Sequence, residues 1–224
     1  MVRNYISETP WKSLDMNPRN TACLVVDMQN SYCSPDGSLA QSKLNGSYNT
    51  TPIQEMVPVL AGFINDLRGL GIEVVYTRMN EDPERMPPNA RLKRLSIGAP
   101  PVGQLGTRDF EYFDERIRPR GEEKEYVKTM YDPFTVPDLR HHLERYENLI
   151  VTGVHGTACI PATIMRAFTE GFNVFVPTYG KDEKLLVSTF EERMPAQESF
   201  FRMIDELFAY LTDKEELLKR LGNK

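Results

Sequence analysis

Histidine, cysteine and tryptophan are scarce in this chain of 224 residues, numbering three, three and one. The three cysteines, Cys23, Cys33 and Cys159, are too few and too widely spaced for a disulfide framework, and an odd count suits free thiols in a reducing compartment. His141 and His142 are adjacent on one predicted helix and point to different faces, so they cannot share a ligand set. No metal and no other cofactor is expected. Also missing is any apolar stretch long enough to span a bilayer, and residues 1–8 lack the apolar core of a signal peptide. With 27 basic residues against 32 acidic ones the net charge is -5, which gives no basic footprint for a nucleic acid. Gly153 and Gly156 lack the third glycine and the acidic partner of a dinucleotide fingerprint. These absences predict a soluble, cytoplasmic protein whose partners are small molecules or other proteins, with neither nucleic acid nor membrane among them.

What is present is an alternation of strand and helix signals. Residues 1–20 are polar, carry Pro10 and Pro18, and read as a lead-in that packs on the domain or on a partner; residues 21–224 read as one domain. Thr21 to Asp27 is a nearly continuous apolar run, the pattern of a strand buried on both faces. After a polar loop from Gln41 to Thr50, Thr51, Pro52 and Gln54 form a helix start, and apolar residues from Ile53 to Leu67 recur at helical spacing until Gly69 and Gly71. Ile72 to Thr77 completes a strand–helix–strand unit with a parallel pair. Residues 79–122 show no convincing periodicity and carry many prolines and arginines, as a long functional loop would. Glu125 to Lys128, Asn148 to Val154 and Asn173 to Pro177 are further strands, separated by helices predicted over 135–145 and 157–171. The tail from Glu198 to Leu221 is helical by pattern, with Phe200, Phe201, Ile204, Leu207, Phe208 and Leu211 on one face. The class is α/β.

Three chemistry-bearing residues fall at or just beyond strand ends: Asp27, Lys128 and Cys159. In open parallel sheets ligands bind outside the carboxyl ends of the strands. Singly, each residue has a plain structural explanation: a turn-forming Asp, a solvated Lys, a small core Cys. Together they are an acid, a cation and a thiol at one edge. A free thiol with a pKa of about 8.5 is only a few per cent thiolate at neutral pH and needs activation. Orphan amides at the start of the helix near Thr157 and the charge of Lys128 would favour the anion, and Asp27 could accept the thiol proton. Gly156 permits close backbone approach, so amides of this turn could form an oxyanion hole.

The segments Asp27-Met28-Gln29-Asn30, Lys128 with Phe134, and Val151-Thr152-Gly153 with Cys159, Thr163, Ala167 and Gly171 resemble, in that order, the motifs of the isochorismatase-like cysteine hydrolases. The resemblance covers roughly residues 20–180. It implies a three-layer Rossmann-like fold with a mostly parallel six-stranded sheet and helices on both faces, a triad of Asp27, Lys128 and Cys159, a cis peptide bond between Val154 and His155, and oxyanion donors at Val154 and Cys159. It also implies a homo-oligomer, a dimer or tetramer, for which the apolar stripe of the tail is suited. Two features depart from the pattern. Gly156-Thr157-Ala158-Cys159 replaces the usual Thr-Asp-Val-Cys-like sequence, and Pro161 lies in the first helical turn.

Candidate substrate contacts are Tyr32 and Phe134 near the Asp and Lys, Tyr131 three residues after Lys128, His155 on the turn, and Arg78, which with the segment from Pro87 to Gly98 resembles the loop of the biuret hydrolase and ureidoacrylate amidohydrolase branch. Each could equally be core or solvated surface. The segment Thr77 to Pro83 lacks the Asp and His cluster of zinc-dependent nicotinamidases. The expectation is a metal-independent amidohydrolase that cleaves a C–N bond of a small carboxamide or ureido compound. The alternatives are an isochorismatase-type vinyl ether hydrolase, and a non-catalytic oligomeric protein or thiol sensor on the same fold.

Overall fold

The computed structural model describes residues 10–42, 48–99, 101–180 and 182–222; most of the N-terminal lead-in and part of the loop after Gln41 lie outside these. In chain order the elements are β1 (Thr21–Val26), a single turn α1 (Asn30–Cys33), α2 (Thr51–Gly69), β2 (Glu73–Met79), α3 (Pro88–Ser96), β3 (Glu125–Lys128) and α4 (Pro137–Leu143). They continue with β4 (Asn148–Val154), α5 (Cys159–Thr169), β5 (Asn173–Tyr179), the short strands β6 (Lys184–Leu185) and β7 (Val187–Ser188), α6 (Met194–Leu207), β8 (Tyr210–Asp213) and α7 (Lys214–Gly222).

The sheet has eight strands rather than six. Its main order is β3-β2-β1-β4-β5-β6, with β7 beside β4 and β8 beside β5. Every pairing is parallel except β5 with β6. β1 lies in the middle and is buried along its whole length, which is why its sequence shows no alternation. Its side chains divide by parity between two cores. Cys23 and Val25 join a cluster with Met56, Leu60, Phe63 and Leu67 of α2 and Leu217 and Leu221 of α7. Ala22, Leu24 and Val26 join a second cluster with Leu139 and Leu143 of α4, Ile160 and Ile164 of α5, and Phe201 and Ile204 of α6. Helices therefore cover both faces, giving the three-layer architecture expected.

Three segments differ from the sequence reading. Residues 79–122 contain α3 and two 3-10 turns, Arg108–Phe110 and Glu115–Ile117. No residue of α3 is buried, so its apolar periodicity is weak and the helix escapes a pattern search. The tail is not one helix: α6 ends at Leu207 and the chain crosses as β8 beside β5, pairing Phe175 with Tyr210, before α7 begins. This covers an otherwise open edge of β5. It also places Leu211 in the core, while Phe201 and Ile204 of the predicted stripe are buried and Leu207 stays exposed. Helix 135–145 resolves into a 3-10 turn, Pro133–Thr135, followed by α4. At the other end of the chain, Trp11 and Met16 are buried in the first core cluster, and the Trp11 ring stands edge-on to Phe175 at 6.0 Å.

Gly153 has a structural reason. Its φ is +109°, and a Cβ there would lie 2.3 Å from the Val26 carbonyl oxygen. Only glycine lets the end of β4 approach β1 so closely. The register pairs Val26 with both Thr77 and Gly153, and Met79 with Lys128, so the carboxyl ends of β1, β2, β3 and β4 meet at one edge of the sheet.

Candidate active site

Asp27 follows β1 directly, with φ of +52°, a left-handed conformation that Asp tolerates better than most residues. Its amide donates to the Thr77 carbonyl at 3.0 Å, which fixes the turn. One carboxylate oxygen accepts from the Thr77 hydroxyl at 2.9 Å, and the other accepts from the Lys128 ammonium at 2.6 Å. Lys128 also donates to the Met130 carbonyl at 3.2 Å and to Cys159 Sγ at 3.4 Å, and lies 3.6 Å from Met79 Sδ. An ammonium has three protons, and these partners occupy them. Lys128 thus bridges the carboxylate and the thiol, and the three side chains are all nearly inaccessible to solvent.

The electrostatics of the trio are specific. Burial alone would lower the Lys128 ammonium, but Asp27 and Cys159 beside it outweigh that and hold it above its ordinary value. Burial pushes the Cys159 thiol up, the negative charge of Asp27 adds to this, and Lys128 offsets only part of it. The resting site is therefore an aspartate–lysine ion pair with a neutral thiol. Lys128 favours the sulfur anion, as its charge led one to expect, but burial and the adjacent carboxylate oppose it more strongly.

Cys159 opens α5 rather than lying inside a helix begun at Thr157, because the Ala158 backbone (φ -143°, ψ -90°) is not helical. Its amide therefore belongs to the first turn, where N–H groups have no intrahelical acceptor. Pro161 falls in the same turn, where its missing N–H costs nothing. The expected cis peptide bond between Val154 and His155 is present. The His155 carbonyl accepts from Ala158 and Ile160, and the Gly156 amide donates to the Ser188 carbonyl, so the turn is tied to both α5 and β7. Gly156 packs against Gln197 of α6: a Cβ there would lie 1.9 Å from Gln197 Oε1.

Above the thiol is a pocket of about 460 Å³ lined by Cys159, Ala158, His155, Tyr32, Leu39, Tyr48, Glu81, Arg94, Ile97, Tyr131 and Arg193. Three of the expected substrate contacts, Tyr32, Tyr131 and His155, are in this lining. His155 is buried between the edge of Tyr32 and the ring of Phe190. Burial, reinforced by the nearby charge of Arg193, lowers its pKa to about 3, which favours the neutral imidazole. Its Nδ1 faces the Thr189 hydroxyl at 3.3 Å, while Nε2 is buried with no partner among the described residues.

Two expected contacts lie elsewhere. Arg78 is ion-paired to Glu125 at 2.5 Å and stacked 4.0 Å over Phe110, away from the pocket. Strand parity explains this: Thr77 and Met79 reach Asp27 and Lys128, so Arg78 between them must face the opposite side. Phe134 is buried in the second core, 5.9 Å from Phe172, and stays outside the pocket lining. The sequence reading singled out the segment 87–98 but not Arg94 within it, and missed Glu81 and Arg193. Glu81 is buried and accepts from Arg94 of α3, and burial raises its pKa despite that partner. Parity along β2 offered a signal for Thr77, but the three charged residues come from loops and α3, where no period points inward. Among the described residues, no cluster of three or more His, Cys, Asp or Glu side chains is arranged to hold a metal ion, and no helix is long and apolar enough to cross a membrane.

Known proteins show the same architecture. The chain is 28% identical over 216 residues to nicotinamidase 3 of Arabidopsis thaliana, covering 93% of each, and 25% identical over 169 residues to the ureidoacrylate amidohydrolase RutB of Caulobacter segnis, covering 68% of each. A cysteine hydrolase from Pseudomonas syringae pv. phaseolicola superposes with a TM-score of 0.70 at 21% identity, covering 93% of this chain and 95% of that one. N-carbamoylsarcosine amidase from Thermoplasma acidophilum superposes at 0.62 and 18%, covering 88% and 97%. These two share the fold. An isochorismatase domain matches residues 21–216, nearly the whole chain and all three strand-end residues, and the protein accordingly belongs to the isochorismatase family of hydrolases.

Proposed function

We propose that the protein is a metal-independent amidohydrolase that cleaves a C–N bond of a small carboxamide or ureido compound through a Cys159 thioester. The observation that carries this is the contact of Lys128 with both Asp27 and Cys159 at the base of a pocket into which, of the three, Cys159 opens. Attack by the thiol on the substrate carbonyl is coupled to transfer of its proton to Asp27. Lys128, held charged, stabilises the sulfur as it becomes anionic. The amides of Val154 and Cys159 take the developing oxyanion. The tetrahedral intermediate collapses, the C–N bond breaks, and Asp27 returns the proton to the departing nitrogen as ammonia or an amine. Water then attacks the thioester, Asp27 accepting its proton and the sulfur leaving as thiol.

The relatives support the amide class, since their names are ureidoacrylate amidohydrolase and nicotinamidase. A thiol sensor fits the site less well, because oxidation needs an accessible thiolate and burial and Asp27 both oppose one here. The test is ammonia release from a panel of small carboxamides and ureas, with Cys159→Ala as control. The expected result is turnover by the wild type, an acyl-enzyme mass adduct on Cys159, and loss of both in the variant. Full turnover by Cys159→Ala on the same compound overturns the reading.

A further inference from the structure

The pocket carries more positive charge than the chemistry of an amide requires. Arg94, Arg193 and Glu81 line it, while Asp27 and Lys128 compensate each other behind the thiol. The two arginines differ in one respect. Arg94 is ion-paired with buried Glu81. Arg193 has no carboxylate partner among the described residues: it donates to the Tyr48 hydroxyl at 3.1 Å, and its guanidinium lies 4.8 Å over the Tyr48 ring and 5.8 Å from the ring of Phe190. Tyr48 and Phe190 are themselves stacked, 4.5 Å apart and 9° from parallel. This aromatic pair holds the guanidinium at the pocket wall while most of its five donors have no acceptor among the described residues. The His155 ring packs on the same Phe190 and carries a buried Nε2 with no partner among the described residues.

A half-buried cation with donors to spare, facing the same pocket as the thiol, is matched by an anion. We propose that Arg193 determines specificity, and that the substrate is a small amide or ureido acid whose carboxylate, separate from the scissile carbonyl, is held by the Arg193 guanidinium on the Tyr48–Phe190 wall. A planar guanidinium binds a carboxylate through two parallel hydrogen bonds, which gives orientation as well as affinity. Anchoring at Arg193 leaves the other end of the molecule over Cys159. The inference rests on the amidohydrolase reading for the nature of that other end, but not for the carboxylate.

The experiment uses pairs of compounds that differ by the carboxylate: 4-ureidobutyrate against butylurea, and succinamate against butyramide. Binding to the full-length Cys159→Ser protein, which separates recognition from turnover, is measured by calorimetry. At least one acid is expected to bind about tenfold or more tighter than its neutral partner. Arg193→Gln brings that acid down to the level of the neutral compound, and Arg193→Lys restores part of the preference because it keeps the charge and loses the fork. Circular dichroism and melting confirm that the variants are folded, and Arg78→Gln, a change outside the pocket, controls for general loss of positive charge. Equal binding within both pairs, a preference that survives Arg193→Gln, or no measurable binding of either acid overturns the proposal. If the wild type hydrolyses none of these compounds yet Cys159→Ser still prefers an acid through Arg193, the amidohydrolase reading falls and the carboxylate site stands.

Discussion

Replacing Asp27 by asparagine separates two effects that usually travel together, the acidity of a nucleophile and the activity of its enzyme. The Lys128 ammonium lies 3.4 Å from Cys159 Sγ. At an effective dielectric constant of about 20, a thiolate at that distance would be attracted by about 5 kcal/mol. In the wild type Asp27 cancels much of this, since its charge opposes the thiolate and it is 2.6 Å from the same ammonium. Asp27→Asn keeps the shape, removes the proton acceptor and removes the opposing charge. Turnover is expected to fall by about 10²–10⁴, the range for loss of a general base. Thiol acidity moves the other way, because the thiolate becomes the counter-ion Lys128 has lost. Each unit of fall in the thiol pKa raises the alkylation rate about threefold at fixed pH, a tenfold gain in thiolate being offset by weaker nucleophilicity at a Brønsted slope of about 0.4–0.5. The assay is the rate of iodoacetamide modification of Cys159 between pH 6 and 9, run beside ammonia release. A melting curve guards against unfolding, since stripping one partner from a buried ion pair costs about 3–5 kcal/mol. A folded variant that alkylates no faster than the wild type across this range would falsify the charge arrangement as described.

Three further outcomes follow from the same geometry. His155 is held neutral in the fold down to about pH 3, whereas the unfolded chain protonates it near pH 6.5, so the unfolded state binds more protons between these values and stability falls as pH drops through that window. From pH 7 to 5 the wild type should lose about 2 kcal/mol more than His155→Gln in urea unfolding, and equal losses would refute the assignment. Gly156→Ala should cost about 1–3 kcal/mol, because the three atoms nearest the added Cβ all belong to Gln197. Gln197→Ala should recover part of that in the double variant, and simple additivity of the two melting shifts would show the contact to be unimportant. Glu81→Gln weakens the attachment of α3 through Arg94, so limited proteolysis within residues 82–99 should accelerate several-fold while the core stays resistant; an unchanged cleavage rate would count against the tether.

The strand-end residues were legible in the sequence for a physical reason. Strands buried on both faces read as unbroken apolar runs, and the first polar residue beyond each run is where a parallel sheet exposes its carboxyl edge. Asp27, Lys128 and Cys159 were found that way. Arg78 was misplaced because the reading noted its position and ignored its parity: within β2 it faces opposite to Thr77 and Met79. Phe134 failed differently, since an aromatic residue near a site can equally fill the core beneath it. Arg94 was legible only as part of a basic segment, and Glu81 and Arg193 not at all, because their approach is a tertiary event, joining positions 81 and 94 across a loop and 193 from the far end of the chain. β8 was missed for a related reason, as a short strand flanked by helices continues their apolar pattern without a break.

α3 contributes no buried residue to either core, yet delivers Arg94 to the pocket, with Ile97 just past its end. What fastens it is a charge: Arg94 meets the buried carboxylate of Glu81, and losing the arginine would leave that carboxylate unpaired. Loop grafting across residues 82–99 therefore has one fixed point, Arg94, around which the exposed positions of a nine-residue helix are open to rewriting.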